Sequence, residues 1–218
     1  MAKLLFIDTS SKNCSALIAD DGQVIAERFE ANTRSHAQLL PVFINELFQQ
    51  TKLERSELSA LVVSAGPGSY TGVRIGMSVA KGMCYTLDLP LIALDSLRSM
   101  AEAMIDKTTE NDAVYIATMD SRKGEIYYAA MDDKGQILSP SQPAVVKDLT
   151  WDKWIGKKVF IAGNTKDKLQ DSPCSLILTR LPIDYSAKNY IKSAFERFEN
   201  GIFDDLVYKE PNYLKPFQ

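Results

Sequence analysis

Histidine is almost missing from this chain of 218 residues: His36 stands alone, and the three cysteines, Cys14, Cys84 and Cys174, lie 70 and 90 residues apart. No His-x-x-x-His zinc motif can be built, and no two thiolates have metal-ligand spacing. A Ser-His-Asp triad would have to rest on His36 alone. Net charge is equally scarce. The 25 Lys and Arg face 28 Asp and Glu, a formal balance of −3, so there is no broad basic field to drive free-standing nucleic-acid binding. RNA, if it is met, has to be brought by something else. Long apolar runs are missing too. Asp8 breaks the first one, Leu4 to Ile7, so neither a signal-peptide core nor a membrane span is expected. An odd number of scattered cysteines suits a reducing cytoplasm, the expected location.

What the chain does have is material for a core: about 45% of its residues are apolar, enough for one large domain or two small ones. The opening Lys3–Asp8 is apolar on both faces of a would-be strand, which predicts a central, doubly covered position. A second strand runs from about Cys14 to Ala19. Asp20-Asp21-Gly22 supplies residues that tolerate positive φ, and Gln23–Glu30 returns as a third strand, so an antiparallel meander is expected. Ser35 with Gln38 has the form of a capping box ahead of a helix carrying Leu39, Leu40, Phe43, Ile44 and Leu47, with Pro41 in its second turn. A strand over Leu58–Ala65, a helix to about Leu87, a short strand at Leu91–Leu94 and a helix from Ser96 to about Ile105 follow. Strands first, then alternating helices and strands, indicate an α/β protein with a mixed sheet.

The order of motifs repeats. Phe6-Ile-Asp8-Thr-Ser, an apolar strand and Asp20-Asp-Gly-Gln are echoed by Thr118-Met-Asp120-Ser-Arg, Glu125–Ala130 and Asp132-Asp-Lys-Gly-Gln136. Asp8 and Asp120 are 112 residues apart, as are Asp20 and Asp132. Chance likeness of two hairpins is one explanation, because Asp/Gly turns are common. A duplicated α/β unit with a cleft between its halves, 1–107 and 108–218, is the other. From Pro140 to Pro182 the pattern weakens to one strand, Lys158–Gly163, before a final helix over Ala187–Phe198, so the second copy reads as eroded.

Gly66-Pro-Gly68-Ser-Tyr-Thr-Gly72 lies between a strand and a helix, where phosphate loops occur. It ends without the Gly-Lys-Ser/Thr of a Walker A loop and lacks the third glycine of a Rossmann loop. Anion binding at the helix start and a tight turn with positive-φ glycines both remain open. In the helix that follows, Gly72, Gly76 and Ala80 recur every four residues, Val79 and Met83 widen that face, and Arg74, Ser78 and Lys81 lie opposite. Each interior glycine costs about 1 kcal/mol relative to alanine, which close packing usually offsets. Burial against the preceding helix and contact with a partner are both compatible with this face. Asp8-Thr9-Ser10 has the form either of a nucleotide or metal turn or of a plain Asx turn. His36 lies in line with Leu40, Phe43 and Leu47, which favours packing or end-capping over catalysis.

Phe6–Ser10, Arg34-Ser-His-Ala-Gln-Leu-Leu-Pro41, Gly66–Gly76 with Ala80-Lys-Gly82, Met119–Tyr127 and Pro211-Asn-Tyr-Leu-Lys215 together resemble the TsaB (YeaZ) family, in order and over essentially the whole chain. The resemblance implies a duplicated actin-like fold (ASKHA, ribonuclease-H-like). It also implies a non-catalytic subunit in the synthesis of N6-threonylcarbamoyladenosine next to the tRNA anticodon. Expected partners are the transferase TsaD, the ATPase TsaE and, for the isolated chain, a second copy, with tRNA reached only through the complex. The implied pairing surface is the first two helices, here His36, Leu39, Leu40, Phe43 and Leu47 with Gly72, Val73, Gly76, Val79, Ala80 and Met83. Leu94-Asp-Ser-Leu-Arg-Ser-Met100 stands where TsaD carries a second histidine pair, so neither a metal nor the older glycoprotease activity is expected. Asp8, Thr9, Ser10, Gly66, Gly68 and Asp120 would mark a vestigial nucleotide cleft, although Asp8-Thr9-Ser10 lacks the glycine common in actin-like phosphate loops. No cofactor is expected for this subunit itself, with ATP or ADP at the complex interface left open. The alternative of another class is an actin-like ATPase or small-molecule kinase acting alone through Asp8 and Asp120.

Overall fold

The computed structural model describes residues 1–33, 35–108 and 110–215; Arg34 of the Arg34–Pro41 run lies outside them. The chain divides into two compact units, residues 1–96 with 185–212, and residues 97–184 with 213–218. These do not coincide with the sequential halves 1–107 and 108–218, because the chain after residue 184 returns to the first unit.

In the first unit, β1 (Lys3–Asp8), β2 (Cys14–Asp20), β3 (Gln23–Glu30), β4 (Ala60–Gly66) and β5 (Leu91–Asp95) form one sheet in the order β3-β2-β1-β4-β5. β2 is antiparallel to both β1 and β3, whereas β4 is parallel to β1 and β5. The β2–β3 connection has Asp21 at φ 44° and Gly22 at φ 83°, the two positive values that a hairpin turn of this hand requires.

Both faces of the sheet are covered, which explains the two-faced apolar character of β1. Leu5, Ile7, Ile18, Leu61 and Val63 pack with α1 (His36–Thr51) and α2 (Tyr70–Leu87). Leu4, Phe6, Leu17, Val62 and Ile92 pack on the opposite side with Ala187, Tyr190 and Ala194, from a 3-10 turn (Ala187–Tyr190) and α4 (Ile191–Glu199). α3 (Ser96–Thr108) follows β5. The capping box expected at Ser35 does not form: its side chain caps nothing, and its carbonyl accepts from the Gln38 and Leu39 amides instead. Helix α1 continues through Pro41, which is exposed.

The second unit repeats the plan. β6 (Ala113–Asp120), β7 (Glu125–Asp132), β8 (Ile137–Val145), β9 (Lys158–Gly163) and β10 (Leu178–Arg180) are ordered β10-β9-β6-β7-β8. β7 is antiparallel to β6 and β8, and β9 is parallel to β6 and β10. This is the sequence of pairings in the first sheet, and it makes the fold a duplicated, mixed-sheet α/β fold. Where the first copy has α1 and α2, the second has short 3-10 turns at Val146–Asp148, Asp152–Trp154 and Lys168–Asp171. Trp151 and Trp154 fill the space beside Val114, Ile116, Ile126, Tyr128 and Ile161. Two strands in the weak region were not expected in full. β8 carries Pro140 and Pro143, which a sheet tolerates at its edge, and β10 is only three residues long.

Candidate functional site: the glycine loop, the first turn and the paired helices

The loop after β4 and the turn after β1 meet in the first unit. Ser69 caps α2 by accepting from the Gly72 amide at 3.2 Å. Its own amide donates to the Ser10 carbonyl at 2.6 Å, and Thr9 Oγ1 donates to the Gly72 carbonyl at 2.7 Å. A Cβ at Gly68 would collide with the Ser10 carbonyl, one at Gly72 with the Thr9 carbonyl, and one at Gly76 with Thr9 Oγ1. Gly66, by contrast, has φ 89°, which is the reason for a glycine there. Thus one glycine of this run serves a backbone conformation, and three serve the close approach of Thr9 and Ser10. At the start of α2 the Ser10 carbonyl takes the Ser69 amide, and Ser69 takes the Gly72 and Val73 amides through its hydroxyl and carbonyl.

Asp8, Thr9 and Ser10 are all buried. Asp8 Oδ1 accepts from the Ser10 amide at 2.8 Å, the Asx turn that the residue types allow. Asp8 Oδ2 and Ser10 Oγ have no hydrogen-bond partner of good geometry. Burial pushes the Asp8 carboxyl above its ordinary value, against smaller opposing pulls from Ser10, Tyr190 and His36. Burial also raises the Tyr190 and Tyr185 hydroxyls well above theirs, with the Asp8 charge adding to it. A carboxyl so enclosed is poorly placed to hold a cation or take a substrate proton. Asp120, in the second unit, is exposed and ion-paired with Lys168, and its amide donates to Asn164 Oδ1 at 2.7 Å. Among the described residues no group of three or more His, Cys, Asp or Glu is placed to hold a metal ion.

The helix residues named as a pairing surface divide into two groups. His36, Leu40, Phe43, Leu47, Gly72, Val73, Gly76 and Ala80 are buried within the unit itself. An amphipathic helix on an open sheet spends its most apolar stripe on that sheet, and Gly76 illustrates this by facing Thr9, Ile7 and Val63. Leu39, Val79 and Met83 are only half-buried. Val42, at 49% exposure, lies one turn on from Leu39 in α1, whereas Tyr85, at 83%, lies on the face of α2 that carries Arg74, Ser78 and Lys81. His36 does not face a nucleophile; its Nε2 lies 3.1 Å from the Asn13 carbonyl.

Several contributors carried no signal in the sequence. Asn13, between two unremarkable residues, contacts His36 through its carbonyl, Tyr185 through Nδ2 and Asn32 through Oδ1. Asp204 plugs the free edge of β5: its amide donates to the Leu91 carbonyl, and its carboxylate accepts from the Ala93 amide and from Arg197, with Lys209 alongside. The run Pro211–Lys215 does have a visible purpose. The Asn212 amide donates to the Ala65 carbonyl beside the glycine loop. Lys215 pairs with Glu125, holding that carboxyl below its usual range, and lies over the Tyr127 ring.

No helix among the described residues is long and apolar enough to cross a membrane. A family model described as TsaD: tRNA N6-adenosine threonylcarbamoyltransferase matches residues 23–160. The chain is 34% identical over 148 residues to the tRNA threonylcarbamoyladenosine biosynthesis protein TsaB of Escherichia coli, an alignment that spans 66% of this chain and 62% of that relative's length. Its fold superposes on that of YeaZ from Pseudomonas aeruginosa with a TM-score of 0.85 at 24% identity, covering 98% of this chain and all of that one. A more distant fold likeness is to the inorganic polyphosphate/ATP-glucomannokinase of Arthrobacter sp. strain KM. There the TM-score is 0.52 at 10% identity, over 92% of this chain and 100% of that one, which places the duplicated sheets among the actin-like folds. With more than half of its residues matched by the family model, the chain belongs to the family described as TsaD: tRNA N6-adenosine threonylcarbamoyltransferase, and within it is similar to TsaB.

Proposed function

We propose that this chain is the partner-binding, non-catalytic member of a cytoplasmic assembly that makes threonylcarbamoyladenosine in tRNA. Its direct partner is TsaD, TsaE joins the pair, and the chain pairs with itself when alone. tRNA is reached through the complex. The observation that carries this reading is the enclosure of Asp8 in the turn after β1. A kinase or ATPase acting alone through Asp8 would need that carboxylate open to metal and phosphate, and here it is buried with Thr9 and Ser10, its Oδ1 taken by the Ser10 amide. The subunit then needs no nucleotide of its own, and any ATP or ADP would be bound jointly with a partner.

The docking surface is the apolar area that α1 and α2 leave uncovered, including Leu39, Val42, Val79 and Met83. Val79→Glu and Met83→Glu place a charge there, at half-buried side chains on the margin of the core. Both variants should keep the circular-dichroism spectrum of the unsubstituted chain and lose co-purification with TsaD. Undiminished co-purification of both would sink the reading. Gly76→Glu is unsuitable for this test, because its side chain would be driven into Thr9.

A further inference from the structure

The turn between β1 and β2 holds the beginnings of both helices. At α2, Thr9 Oγ1 donates to the Gly72 carbonyl at 2.7 Å, the Ser10 carbonyl accepts from the Ser69 amide at 2.6 Å, and Gly68, Gly72 and Gly76 leave no room for a Cβ between helix and turn. At α1, the first helical residue, His36, has Nε2 3.1 Å from the Asn13 carbonyl. The turn is itself braced. Asp8 Oδ1 accepts from the Ser10 amide, Ser11 Oγ from the Asn13 amide, and Asn13 Oδ1 from the Asn32 amide, while Asn13 Nδ2 donates to the Tyr185 carbonyl. Six residues, Asp8 to Asn13, thus tie the N-terminal ends of two helices to one point at the end of the central strand.

We propose that this turn sets the relative placement of α1 and α2 and thereby the shape of their docking surface, with Thr9 and His36 as positioning residues. The inference rests on the reading that this surface binds TsaD. The physical basis is the steepness of close packing. Three glycines with no spare volume fix the distance of α2 from the turn, and the Thr9 hydrogen bond fixes its position along the helix axis. A helix released from such a contact can shift by a fraction of a residue without losing its own hydrogen bonds. A partner surface complementary to two helices loses its fit when one of them moves.

The test compares Thr9→Val, which keeps the shape and removes the hydroxyl, with Thr9→Ser, which restores it. His36→Leu is compared with His36→Gln in the same way. Binding of purified TsaD is measured well below the melting temperature of each variant, with circular dichroism as the check on folding. Thr9→Val and His36→Leu should each weaken binding by about tenfold while remaining folded, and Thr9→Ser and His36→Gln should return it to within about threefold. A role confined to stability would lower the melting temperature and leave binding of the folded protein unchanged, and that result overturns the proposal. If Thr9→Val does not fold, the His36 pair decides. Failure of both Thr9→Val and His36→Leu to fold makes the turn a folding element and overturns the positioning role. Absence of TsaD binding by the unsubstituted chain overturns the functional reading, and this inference with it.

Discussion

Thr9 Oγ1 donates a 2.7 Å hydrogen bond to the carbonyl oxygen of Gly72, three residues into helix α2, and the Thr9 carbonyl occupies the space where a Cβ on that glycine would lie. A strand end and a helix start are in backbone contact, so glycine is required at position 72 for space, whatever its helix propensity.

Gly72→Ala should therefore cost about 3 kcal/mol or more, since a Cβ there meets backbone that cannot rotate away. Gly82→Ala, in the same helix with nothing within 4 Å of the new methyl, should stabilise by about 0.5–1 kcal/mol through helix propensity and chain entropy. Urea denaturation of the two variants checks the pair. Equal effects would show that volume at position 72 is not limiting.

Asp8 predicts a pH dependence. Its carboxyl is raised in the folded state by burial, so the native chain holds a proton that the unfolded chain has released. Stability should fall as pH rises from the ordinary aspartate value to the raised folded value, then level off. Asp8→Asn removes that contribution. The stability of Asp8→Asn relative to the unsubstituted chain should increase with pH across this window, and a difference that is constant with pH would refute the assignment.

Asp204 stands in for a strand at the edge of β5, and its carboxylate meets the Ala93 amide at 2.8 Å, Arg197 at 3.0 Å and Lys209 at 3.0 Å. Asp204→Ala leaves that amide without its acceptor and two cations without their anion, at an expected cost of about 2–3 kcal/mol. Asp204→Asn keeps an acceptor for the amide and should recover part of it. Hydrogen exchange at Ala93 reports the local effect: its protection should fall in the alanine variant more than in the asparagine one.

The cysteines should differ sharply in reactivity. Cys14 and Cys84 are buried, and desolvation pushes both thiols up to about 12, whereas Cys174 is partly exposed. A thiol reagent at neutral pH should label one cysteine per native chain, Cys174, with the other two appearing only on unfolding. Mass mapping of the labelled peptide decides this.

Much of this architecture could be read directly from the residues. The alternation of Leu4 and Phe6 with Leu5 and Ile7 required a strand covered on both faces, Asp20-Asp21-Gly22 required a tight turn, and the 112-residue echo of Asp8 in Asp120 announced two copies of one plan. These are local properties: side-chain direction, turn conformation and repetition are set within a few residues. Periodicity also identified the apolar stripes of α1 and α2. It could not say what covers them, because the same pattern suits a sheet, a neighbouring helix or a partner. Only the tertiary structure assigned Leu40, Phe43, Leu47, Val73 and Ala80 to the unit's own core, left Val79 and Met83 half-buried at its margin and exposed Val42 and Tyr85. Likewise, a glycine run between strand and helix has the same residues whether it cradles phosphate or admits a backbone. Which of these it does depends on Thr9 and Ser10, about 60 residues away in sequence, and on the parallel pairing of β1 with β4 that brings them against it.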